Sequence, residues 1–177
     1  MYNYTLSQLA GGLTFAFMVL SYFFKSKSKY LLLQTLGLIS MFFSYLFGEE
    51  FFAMITLTVS LTRTLTFFIY EKKDKEAHIS YSYIFGFLTV CAYITVNLII
   101  LKTAKPLDLL YLVSQVMYAF VFRIRDIKKV RYTIIIPHVL AIAYLLFLGD
   151  MVFVAMSYTF ELLADIYAIA RYDKKEA

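Results

Sequence analysis

An all-α protein that crosses a membrane several times is the fold class this sequence predicts, and three observations predict it. First, 62% of the 177 residues are hydrophobic and only 16% are charged, with a mean hydropathy of +0.73. Soluble domains are about half apolar and about a quarter charged. Second, the apolar residues fall into seven runs, 5–24, 30–47, 50–70, 79–101, 107–123, 132–148 and 151–170. Each is near the roughly 20 residues a helix needs to cross about 30 Å of hydrocarbon. Third, Lys and Arg gather in every second connection. With two prolines and six glycines, the chain is neither a disordered linker nor a loop-rich β protein.

The runs leave too few residues for a separate soluble domain, so residues 1–177 form a single membrane domain. In lipid every backbone polar group must be paired, which restricts the spans to helices or a closed barrel. Only the stretch from Ile55 to Phe67 alternates as a strand would. It lies inside one long apolar run, whereas barrel strands are about 10 residues long and separated by polar turns, so it reads as a Thr-rich helix. The start, Met1 to Thr5, has no Lys or Arg. A cleaved signal peptide needs a basic n-region, so the first run is expected to be retained.

Two connections are very tight. Gly48-Glu49-Glu50 joins helices 2 and 3, and Gly149-Asp150 joins helices 6 and 7. Each glycine is expected to close its helix in the left-handed conformation. The acidic residues then open the next helix, where the macrodipole favours negative charge. The basic residues Lys25, Lys27 and Lys29, then Lys72, Lys73 and Lys75, then Arg123, Arg125, Lys128, Lys129 and Arg131, and finally Arg171, Lys174 and Lys175, all fall on one side. Only Lys102 and Lys105 fall on the other. Cytoplasmic loops hold the excess of Lys and Arg, which predicts an outside N-terminus and a cytoplasmic C-terminus.

A shift of 101 residues superposes Gly48 on Gly149 and Glu49 on Asp150, and brings basic connection onto basic connection. Helices 1–3 then match helices 5–7. The expected plan is a 3+1+3 parallel repeat, with residues 5–73 as the first triplet, 79–101 as a linker helix and 107–175 as the second triplet. The same shift carries Thr56, Ser60 and Thr64, spaced along one face of helix 3, onto Ser157, Glu161 and Asp165 of helix 7.

Ionisable residues inside a membrane segment are costly and usually face a cavity or one another. The candidate site for substrate binding or ion coupling is therefore Arg63, Glu161 and Asp165, with Thr56, Ser60 and Ser157 as hydrogen-bonding neighbours. Two carboxylates and one guanidinium leave one excess negative charge, to be met by a proton or a cationic substrate. Three arrangements are open: a lined cavity, a lock between helices 3 and 7, and snorkelling of Arg63 and Asp165 toward the headgroups. Gln34, Asn97 and Gln115 read as interhelical cross-links. His138, beside Pro137, reads as a packed, hydrogen-bonded ring rather than a proton relay. Tyrosines near helix ends, Tyr30 and Tyr70 among them, read as interfacial anchors.

Several classes are excluded. The lone Cys91 makes no intrachain disulfide, and no Cys/His spacing suggests a metal. No P-loop, nucleophile elbow or HExxH motif is present, so neither an enzyme nor a cofactor is expected. The net charge of +5 is spread over short runs between spans, which fits a lipid bilayer and not nucleic acid.

The stretch with Lys25, Lys27 and Lys29, then Leu31-Leu32-Leu33-Gln34, the Gly48 turn, and Arg63 with Phe67-Phe68 resembles the YgjV-like family of bacterial inner-membrane proteins. It departs from that pattern at Ser44 and Thr58, where the family often has His and Asn. The 3+1+3 plan is also similar to SWEET sugar transporters and PnuC-type vitamin transporters. That similarity implies a pocket between the triplets to which helices 3 and 7 contribute, although the SWEET-type prolines and Pro-Gln dipeptide are absent. The function expected is small-molecule transport by alternating access to a polar site between helices 3 and 7. The alternative is a structural or regulatory membrane protein with a packed polar core.

Overall fold

The computed structural model describes residues 4–103, 105–148 and 152–173, without the side chains of residues 52, 145, 148, 152–157 and 173. The described chain is all helical: α1 (Tyr4–Ser21), α2 (Lys27–Phe47), α3 (Phe51–Lys72), α4 (Ile79–Tyr93), α5 (Asp108–Val121), α6 (Ile127–Leu148) and α7 (Val152–Ala168). Helix α4 widens into a π-helical segment, Ile94–Ile100, and α7 does so over Ile169–Asp173. Four helical stretches are long and apolar enough to cross a membrane: Tyr4–Ser21, Lys27–Phe47, Ala53–Lys72 and Ile79–Ile100. Helices follow one another around the bundle, each packed on the next, and α1 meets α7.

The boundaries differ from hydropathy in an instructive way. Helices α2 and α6 begin at Lys27 and Ile127, earlier than the apolar runs at 30 and 132. Their first turns carry the basic residues, which hydropathy rejects but a helix start at the membrane edge accommodates. The two loops that feed them share a backbone pattern. Phe23 N–H donates to Leu20 O and Phe24 N–H to Ser21 O, and one hundred residues later Arg123 N–H donates to Phe120 O and Ile124 N–H to Val121 O. Asp126 caps α6 by accepting from the Lys128 N–H at 2.9 Å.

The α2–α3 turn corrects one expectation. Gly48 is right-handed, with φ −83°, and its N–H bonds to Ser44 O. The left-handed residue is Glu49, with φ 58°. Gly48 is needed for closeness instead, because a Cβ there would sit 3.1 Å from Ser44 O and 3.5 Å from Ser7 Oγ. The matching turn at Gly149-Asp150 lies outside the described residues.

The core is concentrated at the end carrying the basic connections, hereafter the basic end. Tyr22, Tyr30, Leu31, Phe67, Phe122, Val130 and Ile134 are all buried there. Tyr22 and Tyr30 meet edge to face at 5.5 Å, and Tyr30 and Phe122 at 6.2 Å. Tyr30 is thus a core ring and not an interfacial anchor. Tyr70 bonds to Tyr81 through their hydroxyls at 2.8 Å. The connections above this core are stitched together: Lys27 pairs with Glu71 at 3.2 Å, Arg123 with Glu76 at 2.6 Å, and Arg125 with Asp74.

Candidate functional site

Between the first three helices and the last three lies a cavity of about 370 Å³. That is within the usual range for small-molecule sites, about 300–1,000 Å³. Its wall begins near Gln8 and Tyr45, at the end opposite the basic loops, and descends to Tyr22, Phe122 and Ile134, where the core closes it. Helical spacing explains the lining. Gln8, Gly11, Phe15 and Met18 share one face of α1, with Tyr22 just past its end, and Gln34, Leu38, Met41 and Tyr45 share one face of α2.

Arg63 comes from α3 and is 3% exposed. It does not snorkel. Its Nη1 donates to the carbonyl of Gln115 on α5 at 2.8 Å. Its guanidinium lies over the rings of Tyr118 and Phe122, at 5.7 and 5.5 Å. Among the described residues it makes no ion pair, and its Nε has no hydrogen-bond partner. A desolvated guanidinium held by one carbonyl and two ring faces is under-compensated, since a buried charge costs several kcal/mol unless paired.

At the other wall, α7 presents Glu161. Its Oε2 lies 3.4 Å from the Tyr22 hydroxyl and 3.5 Å from His138 Nε2. Tyr22 Oη is itself 3.1 Å from His138 Nε2. The tautomer follows from the remaining contact, His138 Nδ1 to the Ile134 carbonyl at 2.8 Å. A carbonyl only accepts, so Nδ1 carries the hydrogen and donates. In the neutral ring Nε2 then accepts from Tyr22, and when Nε2 is protonated it donates toward Glu161. Tyr22, His138 and Glu161 thus form one contiguous polar cluster in the cavity wall. His138 is also packed edge to face by Tyr22, Tyr118 and Tyr158, so the expected packed, bonded ring is present and it adjoins a carboxylate.

The sequence-derived set is only partly brought together. Arg63, Ser60 and Glu161 line the cavity. Asp165 is fully buried and is not on the cavity wall. One turn below Glu161, it falls within the packed basic end, in electrostatic range of Tyr30. Thr56 is exposed and donates to the Ala53 carbonyl of its own helix. It lies one turn from Ser60 but is not on the cavity wall. The side chain of Ser157 lies outside the described residues. Gln34 cross-links α2 to α1 as expected, through Ser21 Oγ at 2.8 Å, whereas Asn97 bonds within its own helix to Tyr93 O. Tyr22 and Tyr118 escaped sequence reasoning because an aromatic residue in an apolar helix carries no charge signal. The recurrence of Gln8, Gly11 and Met18 at helical spacing before Tyr22 was the signal available.

The helices and the cavity define an integral membrane protein with a largely apolar chamber, carrying a few polar and charged groups, inside its helix bundle. The chain matches the Imp-YgjV family, described as a bacterial inner membrane protein, over residues 5–176. It belongs to that family. No curated protein and no solved structure matches it.

Proposed function

We propose that this protein moves a small molecule across the cytoplasmic membrane by exposing the central cavity alternately to the two faces. The observation that carries the proposal is the cavity itself. It holds a buried guanidinium and a partly buried carboxylate between the two halves of the chain, where a lock between α3 and α7 needs no empty volume. All seven helices serve as spans. The basic loops face the cytoplasm, so the cavity reaches toward the outside and is closed on the cytoplasmic side. Ser60, Arg63 and Glu161 contact the substrate or the coupling proton. Asp165, Thr56 and Ser157 stay outside this assignment. No reaction is assigned to the protein.

The two halves act as a parallel repeat around a linker helix, α4. Three features support this reading. The loops before α2 and α6 have the same hydrogen-bond pattern at an offset of one hundred residues. Within each triplet the middle helix packs on both its neighbours, α2 on α1 and α3, and α6 on α5 and α7. Helix α6 has 22 residues against 21 in α2, which accounts for the offset growing to 101 at α3 and α7. Rocking of one triplet against the other would open the basic end by releasing Tyr22 from His138 and Glu161, and Arg131 from the carbonyls of Tyr22 and Phe24.

The test is solvent access. A Ser60→Cys protein in a Cys91→Ala background, in sealed vesicles of both orientations, should react with a membrane-impermeant thiol reagent from either face. Reaction should be faster from the face away from the basic loops. Complete protection from both faces would support the alternative, a structural or regulatory protein.

A further inference from the structure

We propose that the cavity takes a small organic anion with a flat apolar body, such as a planar monocarboxylate, and that Arg63 is its receptor. The inference rests on the transport reading and specifies its substrate class.

Charge compensation gives the sign. The cavity has one cationic and one anionic wall, and they are not equally satisfied. Glu161 already faces the Tyr22 hydroxyl, and also His138 Nε2, which donates to it whenever that nitrogen is protonated. Arg63 has one neutral carbonyl, two ring faces and no carboxylate among the described residues. Only Nη1 of its three nitrogens has a hydrogen-bond partner there. A planar fork with unused donors, 97% buried by the 3% exposure of its residue and set in a cavity wall, matches a carboxylate in geometry and charge. The walls are also kept apart. The Tyr118 ring lies 5.7 Å from the Arg63 guanidinium carbon and 5.7 Å from the His138 ring. A carboxylate on Arg63 is therefore screened by an aromatic ring from the Glu161 wall.

The rest of the lining gives the body. Phe15, Tyr22, Tyr45, Tyr118, Phe122 and Tyr158 contribute six rings to the wall. Flat faces favour a flat partner through offset or edge contacts. The volume of about 370 Å³ equals that of about a dozen liquid waters at about 30 Å³ each, which limits the substrate to a small molecule.

The probes are benzoate, its neutral isostere benzamide and the cation benzylamine. Each is titrated against the purified full-length protein while thermal unfolding is followed. Benzoate should raise the midpoint saturably, and benzamide and benzylamine should not. Arg63→Gln should weaken benzoate by roughly ten- to a hundredfold, the usual worth of a charge-assisted hydrogen-bond pair. If Arg63→Gln does not fold, Arg63→Lys makes the same comparison, since it keeps the charge and loses the fork. No shift with benzoate, an equal shift with benzamide or benzylamine, or unchanged benzoate affinity in the folded Arg63 variant would each overturn the assignment. The transport reading fails separately. Access to Ser60→Cys from both faces without benzoate binding would leave transport standing and remove the anion. Benzoate binding by a protein open to one face only would support the anion site and remove transport.

Discussion

The two ends of the helix bundle solve opposite problems with similar residues. At the basic end, rings and aliphatic side chains from both halves of the chain interlock, and charged groups are spent on sealing. Arg131, 1% exposed, donates across the halves to the carbonyls of Tyr22 and Phe24 at 3.3 and 2.8 Å. Arg123 donates to the carbonyl of Ala77 at 3.0 Å. At the opposite end the polar bonds run within a half. Ser7 and Ser44 exchange hydroxyl-to-carbonyl bonds between α1 and α2 at 3.0 and 2.9 Å, and the space between halves stays open as the cavity. Arg131 closes the bundle with bonds to two carbonyls, whereas Arg63 reaches across the halves to one, that of Gln115, through Nη1 alone and keeps unused donors in the cavity wall.

Breaking the sealed end should produce the largest effect. Arg131→Met removes a cation from two carbonyls, that of Tyr22 being buried. It should cost about 1.5–3 kcal/mol, the range for hydrogen bonds to charged groups, read as a lowered unfolding midpoint of the purified protein. The equivalent loss at the other end, Gln8→Ala, should stay within about 0.5 kcal/mol, since Gln8 is exposed. A similar cost at both ends would remove the asymmetry.

A smaller effect is expected from Tyr22→Phe. It keeps the ring in the core and deletes only the hydroxyl shared by His138 and Glu161. Leaving the buried His138 and the partly buried Glu161 with one donor fewer should cost about 1–2 kcal/mol. The sharper readout is access, because labelling of Ser60→Cys from the face of the basic loops should rise while labelling from the other face holds steady. Unchanged labelling would make the hydroxyl a stability element only.

The smallest effect is a gain. Glu49 adopts a left-handed conformation that costs a residue with a Cβ about 1 kcal/mol. Glu49→Gly should recover part of that, and thermal unfolding reads it directly. A loss of stability would mean that the carboxylate at the start of α3 contributes more than the backbone strain removes.

The helices themselves were legible in the sequence because burial in lipid requires long apolar runs, and each of the seven runs became a helix. The helix starts at Lys27 and Ile127 were not legible, since hydropathy treats a basic first turn as loop. Arg63 and Glu161 stood out in the sequence because charge inside an apolar run is rare, and both line the cavity. Asp165 carried the same signal and lies within the sealed end instead. Charge in a span marks a buried position without saying whether the position opens on a cavity or on a packed core. Thr56 failed for a related reason, since i, i+4 spacing gives an approximate helix face but not which residues along it meet the cavity. Tyr22 and the ring wall were hidden because an aromatic side chain has the same signature on a lipid face and in a binding site. The acidic partners of the basic loops, Glu71, Asp74 and Glu76, were visible in the sequence but carry no weight in an orientation rule that counts only Lys and Arg.

The central claim, that the two halves rock about the cavity, is tested most directly by distances between spin labels placed symmetrically in them. Leu9 and Leu109 are exposed at the open end, and Lys29 and Lys129 are exposed at the basic end. Labels at each pair, in protein reconstituted in lipid, should give two distance populations. Conditions that shorten the Leu9–Leu109 distance should lengthen the Lys29–Lys129 distance. A single fixed distance at both ends, unchanged by benzoate, would contradict the account.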